Sequence, residues 1–349
     1  MRRLTGFLCA GLSLLVLGCG EQGTTSTSGT AGGANQDKKL KLGIVFDTGG
    51  RNDKSFNASA WRGAEKTEKE LGYEVIGVDS VKLSDYAPNL QALADKGCDV
   101  VVGVGITMRT SLQQVAPNYP NTKFVSIDGE PLDMPNVRTL QFKEEEGSFL
   151  VGYLAGMMSK TGKLGFVGGM QLPLIEKFHS GYMAGAKMAR KDIEVLPAKY
   201  TQDWVNTDKA KVAAELLNSS GADIVYHAAG KAGLGVIAAA KDKNFFAIGV
   251  DSDQDDVAPG RVLTSMIKNV DEALFMTMKD VKDGKWAAGA VIYDLKSGGV
   301  GTSACKFTKD TIGEGKLKML DDIKAKIVSG EIKVPYDEAT YNAFIAGLK

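Results

Sequence analysis

Three stretches of different character follow one another along the chain. Residues 4–17 are apolar almost throughout, and residues 20–37 carry no large apolar side chain. From residue 39 onward, short apolar runs alternate with longer amphipathic stretches. That alternation is the pattern of a parallel sheet with crossover helices. It predicts strands at 41–46, 74–78, 99–104 and 123–127, with helices at 57–71, 86–96 and 108–118 between them. Gly72, Gly97 and Pro120 fall where helix-ending residues belong.

After Pro135 the chain runs through 139–142 into a predicted helix at 144–158, whose first turn holds three glutamates at the end favoured by the helix dipole. A second series follows, with strands at 163–167, 194–200, 223–227, 245–250 and 262–266 and helices at 174–192, 208–218 and 234–241. The tail adds a helix at 271–282, a strand near 290–295 and a helix around 315–329. The fold class expected is therefore α/β, as two doubly wound parallel-sheet lobes with a central cleft. In such sheets ligands sit beyond the carboxyl ends of the strands, so the residues just after each strand matter most.

The first strand runs into Asp47-Thr48-Gly49-Gly50-Arg51-Asn52-Asp53-Lys54-Ser55-Phe56-Asn57. Two glycines permit a tight turn, and Asn52 or Ser55 suits the cap of the next helix. Asp47, Asn52 and Asp53 read as ligand contacts before they read as turn and cap residues only, and Phe56 either plugs the loop or faces a ligand. The fourth strand ends in Asp128-Gly129, where a carboxylate suits a ligand hydroxyl or ring nitrogen, or simply a turn. In the second half, Gly230 follows one strand, Asp251 the next and Lys268 the next. A facing acid and amine grip vicinal hydroxyls through charge-assisted hydrogen bonds of roughly 1.5–3 kcal/mol each, or form a plain ion pair. Two aromatics remain, Phe178 early in a helix and Trp204 in a loop.

The ends of the chain add an address. Arg2 and Arg3 precede the apolar run, which is too short to span a hydrocarbon core of roughly 30 Å but suits a secretory signal at 1–18. Val16-Leu17-Gly18-Cys19 resembles the bacterial lipobox, so Cys19 is expected to carry lipid, with 19–38 as lipidated Cys and flexible linker. Such a linker has an r.m.s. reach of roughly 23 Å. The expected location is the cell envelope, lipid-anchored to a membrane. Without the signal, 40 basic and 42 acidic residues leave a net charge of −2, which argues against nucleic acid as partner. Cys98 and Cys305 are too isolated for a disulfide framework.

Several chemistries find no support. His179 and His227 lack zinc spacing, no Walker loop or G-x-S-x-G elbow occurs, and Gly103-Val104-Gly105 is followed by Met108 where the dinucleotide fingerprint needs Gly. No catalysis, cofactor or metal is expected. Among acids, only the run from Asp251 to Asp256 offers a metal cluster, and it reads better as ligand contact plus solvated loop.

By this point the residues carry a resemblance. Phe46-Asp47-Thr48-Gly49-Gly50 with Asp53 to Asn57, Trp61 and Gly63 resembles the opening signature of the basic membrane protein family, substrate-binding lipoproteins of ABC transporters. Gly168-Gly169-Met170 with Pro173, Glu176, Lys177, Phe178 and Gly181 agrees, as do Trp204 with Asp208-Lys209-Ala210, the run from Gly249 to Gln254, and Thr264 to Lys268. The similarity extends over about residues 40–345. It implies a type I periplasmic-binding fold with three crossings, near 142–145, 268–271 and 295–301. The lobes would be 39–142 plus about 270–297, and 143–269 plus about 298–349. It also implies a purine nucleoside as ligand and an ABC permease as partner; a monomer is expected. Phe56 and Phe178 would stack on the base with Trp204 nearby; Asp47, Asn52, Asp53, Asn57 and Asp128 would read it; Gly230, Asp251 and Lys268 would grip the ribose. A sugar receptor and a non-transport surface lipoprotein are the alternatives.

Overall fold

The computed structural model describes residues 39–348; the signal, Cys19 and the linker lie outside them. The first series gives β1 (Lys41–Phe46), α1 (Phe56–Lys66), β2 (Glu74–Asp79), α2 (Tyr86–Asp95), β3 (Val100–Val104), α3 (Arg109–Val115), β4 (Lys123–Ile127) and β5 (Val137–Phe142). The second gives α4 (Glu144–Met158), β6 (Lys163–Gly168), α5 (Pro173–Ala189), β7 (Glu194–Val195), β8 (Lys199–Tyr200), α6 (Thr207–Ser219), β9 (Ile224–Ala228), α7 (Leu234–Lys243), β10 (Phe246–Asp251) and β11 (Val262–Lys268). Then come α8 (Val270–Lys282), β12 (Gly289–Tyr293), β13 (Val300–Thr302), α9 (Lys309–Ile312), α10 (Glu314–Val328) and α11 (Glu338–Gly347).

Two sheets result. The first has the order β12-β5-β4-β3-β1-β2, and every neighbouring pair in it is parallel. The second runs β13-β11-β10-β9-β6-β7, with β8 also on β6. It is parallel except where β13 pairs antiparallel to β11. Central strands such as β3 are buried at every residue, as expected when helices cover both faces of a sheet. The chain passes between the sheets after Phe142, after Lys268, and between Tyr293 and Val300. Arg138 of β5 ties the returning segment to the first sheet. It pairs with Asp280 at 2.8 Å, donates to the Ala287 carbonyl and lies over the Trp286 ring.

Register matters for the site, because it lines up the strand ends. Val45 pairs with Gly103 and Val104 with Ile127, so Asp47, Gly105 and Asp128 emerge side by side from one sheet. Asp251 pairs with Ile267, which brings Lys268 next to it on the other.

Differences from the expected elements have local causes. The strand expected at 194–200 is two short strands, β7 and β8, because Pro197 removes a ladder donor between them. The helix expected at 108–118 is α3 flanked by tight 3₁₀ turns, the second containing Pro117. β13, α9 and α11 were not anticipated. The last had a readable signal: Tyr341, Phe344, Ile345 and Leu348 recur at helical spacing. Asp337 caps it, its carboxylate accepting from the Thr340 amide at 2.8 Å.

The second lobe is held by an unusually close helix pair. Side-chain-free positions at Gly152, Gly181 and Gly185 let α4 and α5 approach until backbone meets backbone; a Cβ at Gly185 would sit on the Phe149 carbonyl. Overpacking of this kind costs about 1–3 kcal/mol. Gly185→Ala is therefore expected to lower the denaturant midpoint accordingly. Gly315→Ala, at an unobstructed position in α10, should leave the midpoint unchanged or raise it, by the equivalent of about 0.4–1 kcal/mol of stability.

Candidate functional site

The strand ends of the two sheets face each other across a cavity of about 60 Å³. Loops give the first lobe's share of its lining. Asp47 follows β1, and its Oδ1 accepts from the Gly49 amide at 2.8 Å and from Asn57 Nδ2 at 2.7 Å. Asp53, rather than Asn52 or Ser55, caps α1: its carboxylate accepts the amides of Ser55, Asn57 and Ala58 at 2.8–2.9 Å. Asp128 ends β4 with a left-handed backbone (φ 67°), and Asp251 ends β10 with φ 65°. This region is costly for most side chains but tolerated by Asp.

Lys268 is the centre of the arrangement. Its side chain is 1 % exposed, and Nζ lies 2.6 Å from Asp128 Oδ2 and 2.9 Å from Glu144 Oε1. The far oxygen of Glu144 accepts from Lys177 at 3.2 Å. The same ammonium stands 5.2 Å from the ring centroid of Phe56, 4.9 Å from Phe142 and 5.7 Å from Phe178, a cation–π setting. Thus Phe56 from the first lobe and Phe178 from the second flank one small volume.

Asp251 accepts from Ser55 Oγ at 2.5 Å, across the lobes. Ser252 Oγ donates back to the Ser55 carbonyl at 2.8 Å, and Gln254 Nε2 to the Lys54 carbonyl at 3.1 Å. These three bonds join the loops of the two lobes directly. Of the buried side-chain polar atoms without a hydrogen-bond partner, two belong to residues lining this cavity: Asn57 Oδ1 and Asp128 Oδ1. Trp204 lies against Gly169, where any Cβ would strike its ring, and Gly230 (φ 54°) turns the chain beside it.

Burial dominates the acid–base properties. It pushes Asp47 up to about 6, against the hydrogen bonds from Asn57 and Gly49. It pushes Asp128 up to about 6 and Asp251 up to about 7, each drawn back by the charge of Lys268. Burial alone would lower Lys268, but Asp128, Glu144 and Asp251 outweigh it and hold the ammonium above the ordinary lysine range. His227 lies behind the wall, its Nε2 3.0 Å from Gln254 Oε1, and burial presses it down to about 4.

Ten of the eleven residues singled out from sequence line this cavity: Asp47, Asp53, Phe56, Asn57, Asp128, Phe178, Trp204, Gly230, Asp251 and Lys268. Asn52 does not; it is exposed in the turn before α1. Sequence reasoning missed Ile106 and Thr107 of the lining, though they follow β3 and the strand-end rule would have found them. It also missed Glu144, read only as a dipole-favouring acid, and Ser55 as a partner of Asp251. Among the described residues no group of three or more His, Cys, Asp or Glu side chains is placed to hold a metal ion. The arrangement suits holding a flat, donor-rich molecule.

The sequence profile described as Bmp, ABC transporter substrate-binding protein PnrA-like, matches residues 40–338. The chain belongs to the Bmp family. Bmp relatives include the ABC transporter nucleoside-binding protein BmpA of Lactococcus lactis, 34% identical over 88% of this chain and 92% of that protein. Basic membrane protein A1 of Borrelia garinii is 35% identical over 90% of this chain and 93% of its own length. Among solved structures, an ABC transporter solute-binding protein from Aeropyrum pernix K1 superposes with a TM-score of 0.79 at 30% identity, covering 88% of this chain and 97% of the other. This Bmp protein is thus an ABC transporter substrate-binding protein with the type I periplasmic-binding fold.

The raised carboxylates give the fold a pH signature. A buried acid with a raised value holds its proton in the folded chain at pH values where the unfolded chain has lost it. Its stabilising share is therefore complete below about 4 and disappears as pH rises through the folded value. The lowered His179 and His227, both near 4, act oppositely, but only below about 6.5. Between pH 8 and 6.5 Asp251 and Glu145, both near 7, dominate. The melting temperature of ligand-free protein is expected to rise as pH falls across that window, and Asp251→Asn to flatten the rise. A melting temperature falling from pH 8 to 6.5 would contradict this burial.

Proposed function

We propose that this Bmp protein captures a nucleoside, purine foremost, between its two lobes and delivers it to an ABC permease. The observation that carries the reading is the placing of Phe56 and Phe178, from opposite lobes, around one largely apolar cavity that also carries four carboxylates. Two ring faces suit a flat heterocycle, at about 1–3 kcal/mol of stacking per base. Stacking accepts any base, so selection falls to buried groups that a wrong ligand leaves unpaired. Asn57 Oδ1 and Asp128 Oδ1 are such groups, and both call for N–H donors on the base. Asp251 and Lys268 suit ribose hydroxyls. Asp47, Asp53, Asp128 and Asp251 face only Lys231 and Lys268 in the lining, which repels a phosphate and favours nucleoside over nucleotide. The nucleoside-binding name of the Lactococcus relative points the same way.

The lobes are proposed as 39–142 plus about 270–297, and 143–269 plus about 298–349, a division supported by the membership of the two sheets. A ligand held between two lobes enters when they part and is gripped when they close on it, the closed cavity widening from its present volume of about 60 Å³ to take it. The ligand shifts that balance only by its extra affinity for the closed form. The lipid on Cys19 would keep a monomeric receptor at the outer face of the membrane it serves, with no step of catalysis.

Native mass spectrometry of purified protein, followed by titration with guanosine, inosine and adenosine, tests the ligand class. Recovery of a hexose with no response to any nucleoside would sink the reading, and free base accumulating from nucleoside held with stoichiometric protein would overturn pure binding. Phe56→Ala is expected to weaken nucleosides by about 1–3 kcal/mol with the fold intact by circular dichroism. Asp251→Ala should cost ribosides more than free bases in calorimetry; equal losses would remove the carboxylate from the sugar.

A further inference from the structure

A second cavity, of about 180 Å³, adjoins the first and shares Ile106, Asp128 and Leu174 with it. Its character is different. Five carboxylates line it, those of Asp128, Glu130, Glu144, Glu176 and Asp337, against the single ammonium of Lys177. Only part of that charge is spent internally. Glu144 lies between Lys177 and Lys268, Glu176 accepts the Glu338 amide through one oxygen at 2.9 Å, and Asp337 caps α11. Glu130 stands at the exposed rim.

Asp128 is the shared wall. Its side chain is 7 % exposed, Oδ2 is taken by Lys268 at 2.6 Å, and Oδ1 is buried without a partner. A ligand N–H reaching Oδ1 from the first cavity therefore stands at the threshold of the second. If that N–H belongs to an exocyclic amine, a substituent on the same nitrogen has somewhere to go. Water occupies about 30 Å³ in the liquid, so the chamber has room for a short chain of a few heavy atoms. Its surplus of carboxylate favours a positive end on that chain and disfavours a negative one.

We propose that this chamber is a side vestibule for substituents on the donor edge of the ligand, and that the receptor accepts nucleosides whose exocyclic amine carries a short, ammonium-terminated chain. The inference rests on the nucleoside reading above.

The probes are guanosine and adenosine, their N2- and N6-(2-aminoethyl) derivatives, and the matching 2-carboxyethyl derivatives, measured by calorimetry on the purified protein. For whichever parent binds, the aminoethyl form is expected to bind within tenfold of it, and the carboxyethyl form at least tenfold more weakly than the aminoethyl form. In Glu130→Gln the ratio between the two extended forms should shrink about threefold. A parent that binds while its aminoethyl form falls by more than tenfold, or shows no preference over the carboxyethyl form, overturns the vestibule and leaves the nucleoside reading standing. If neither parent binds, the vestibule falls, and the nucleoside reading falls with it when inosine fails to bind as well.

Discussion

A buried ammonium organises this protein. Lys268 has left water almost completely, and an isolated charge in that position would be prohibitively costly. Three things compensate. Asp128 and Glu144 pair with it, and the faces of Phe56, Phe142 and Phe178 surround it. These partners come from different elements: Asp128 from the end of β4, Glu144 from the first turn of α4, Phe178 from α5. Satisfying one lysine therefore fixes the strand ends of one lobe against the helices of the other. Breaking such a buried pair by deleting one partner typically costs about 3–5 kcal/mol.

The order of elements was legible because the physics that sets it is local. Buried parallel strands must be continuous apolar runs, and their crossover helices must be amphipathic, so most strands of both sheets could be read off the chain, the antiparallel edge strand β13 excepted. The strand-end rule then pointed to Asp47, Asp128, Asp251 and Lys268 without further information. Pairings between lobes were another matter. No local pattern says that Glu144 turns toward Lys268, or that Ser55 donates to Asp251, since those contacts join residues far apart in sequence. Asn52 and Asp53 show the same limit at short range. Both are cap-forming types in one turn, and only the backbone path decides that Asp53 collects three amides while Asn52 points to solvent. Pro197 was a visible breaker whose effect on β7 and β8 could have been anticipated.

The site divides its labour between groups already satisfied and groups left waiting. Asp53 spends its carboxylate on α1 and shapes the loop that presents Phe56. Asp47 divides its carboxylate between a turn amide and Asn57, which leaves the amide oxygen of Asn57 unmatched. Asp128 likewise gives one oxygen to Lys268 and keeps one free. Unmatched buried acceptors are rare in folded proteins, and finding two on one cavity gives it a demand for donors that apolar packing alone would not impose.

The hydrogen bonds that join Lys54 and Ser55 to Asp251, Ser252 and Gln254 have a consequence for how strongly any ligand is held. They favour the closed arrangement of the lobes whether or not a ligand adds its own contacts, and a lobe pair that stands closed admits no new arrival. The apparent dissociation constant then scales inversely with the fraction that stands open. Ser252 and Gln254 lie outside the cavity lining, yet strengthening or weakening their bonds would retune affinity for every ligand alike, leaving the preference among ligands untouched. Sensitivity and selectivity are thus separate dials, set by different residues in the same few loops.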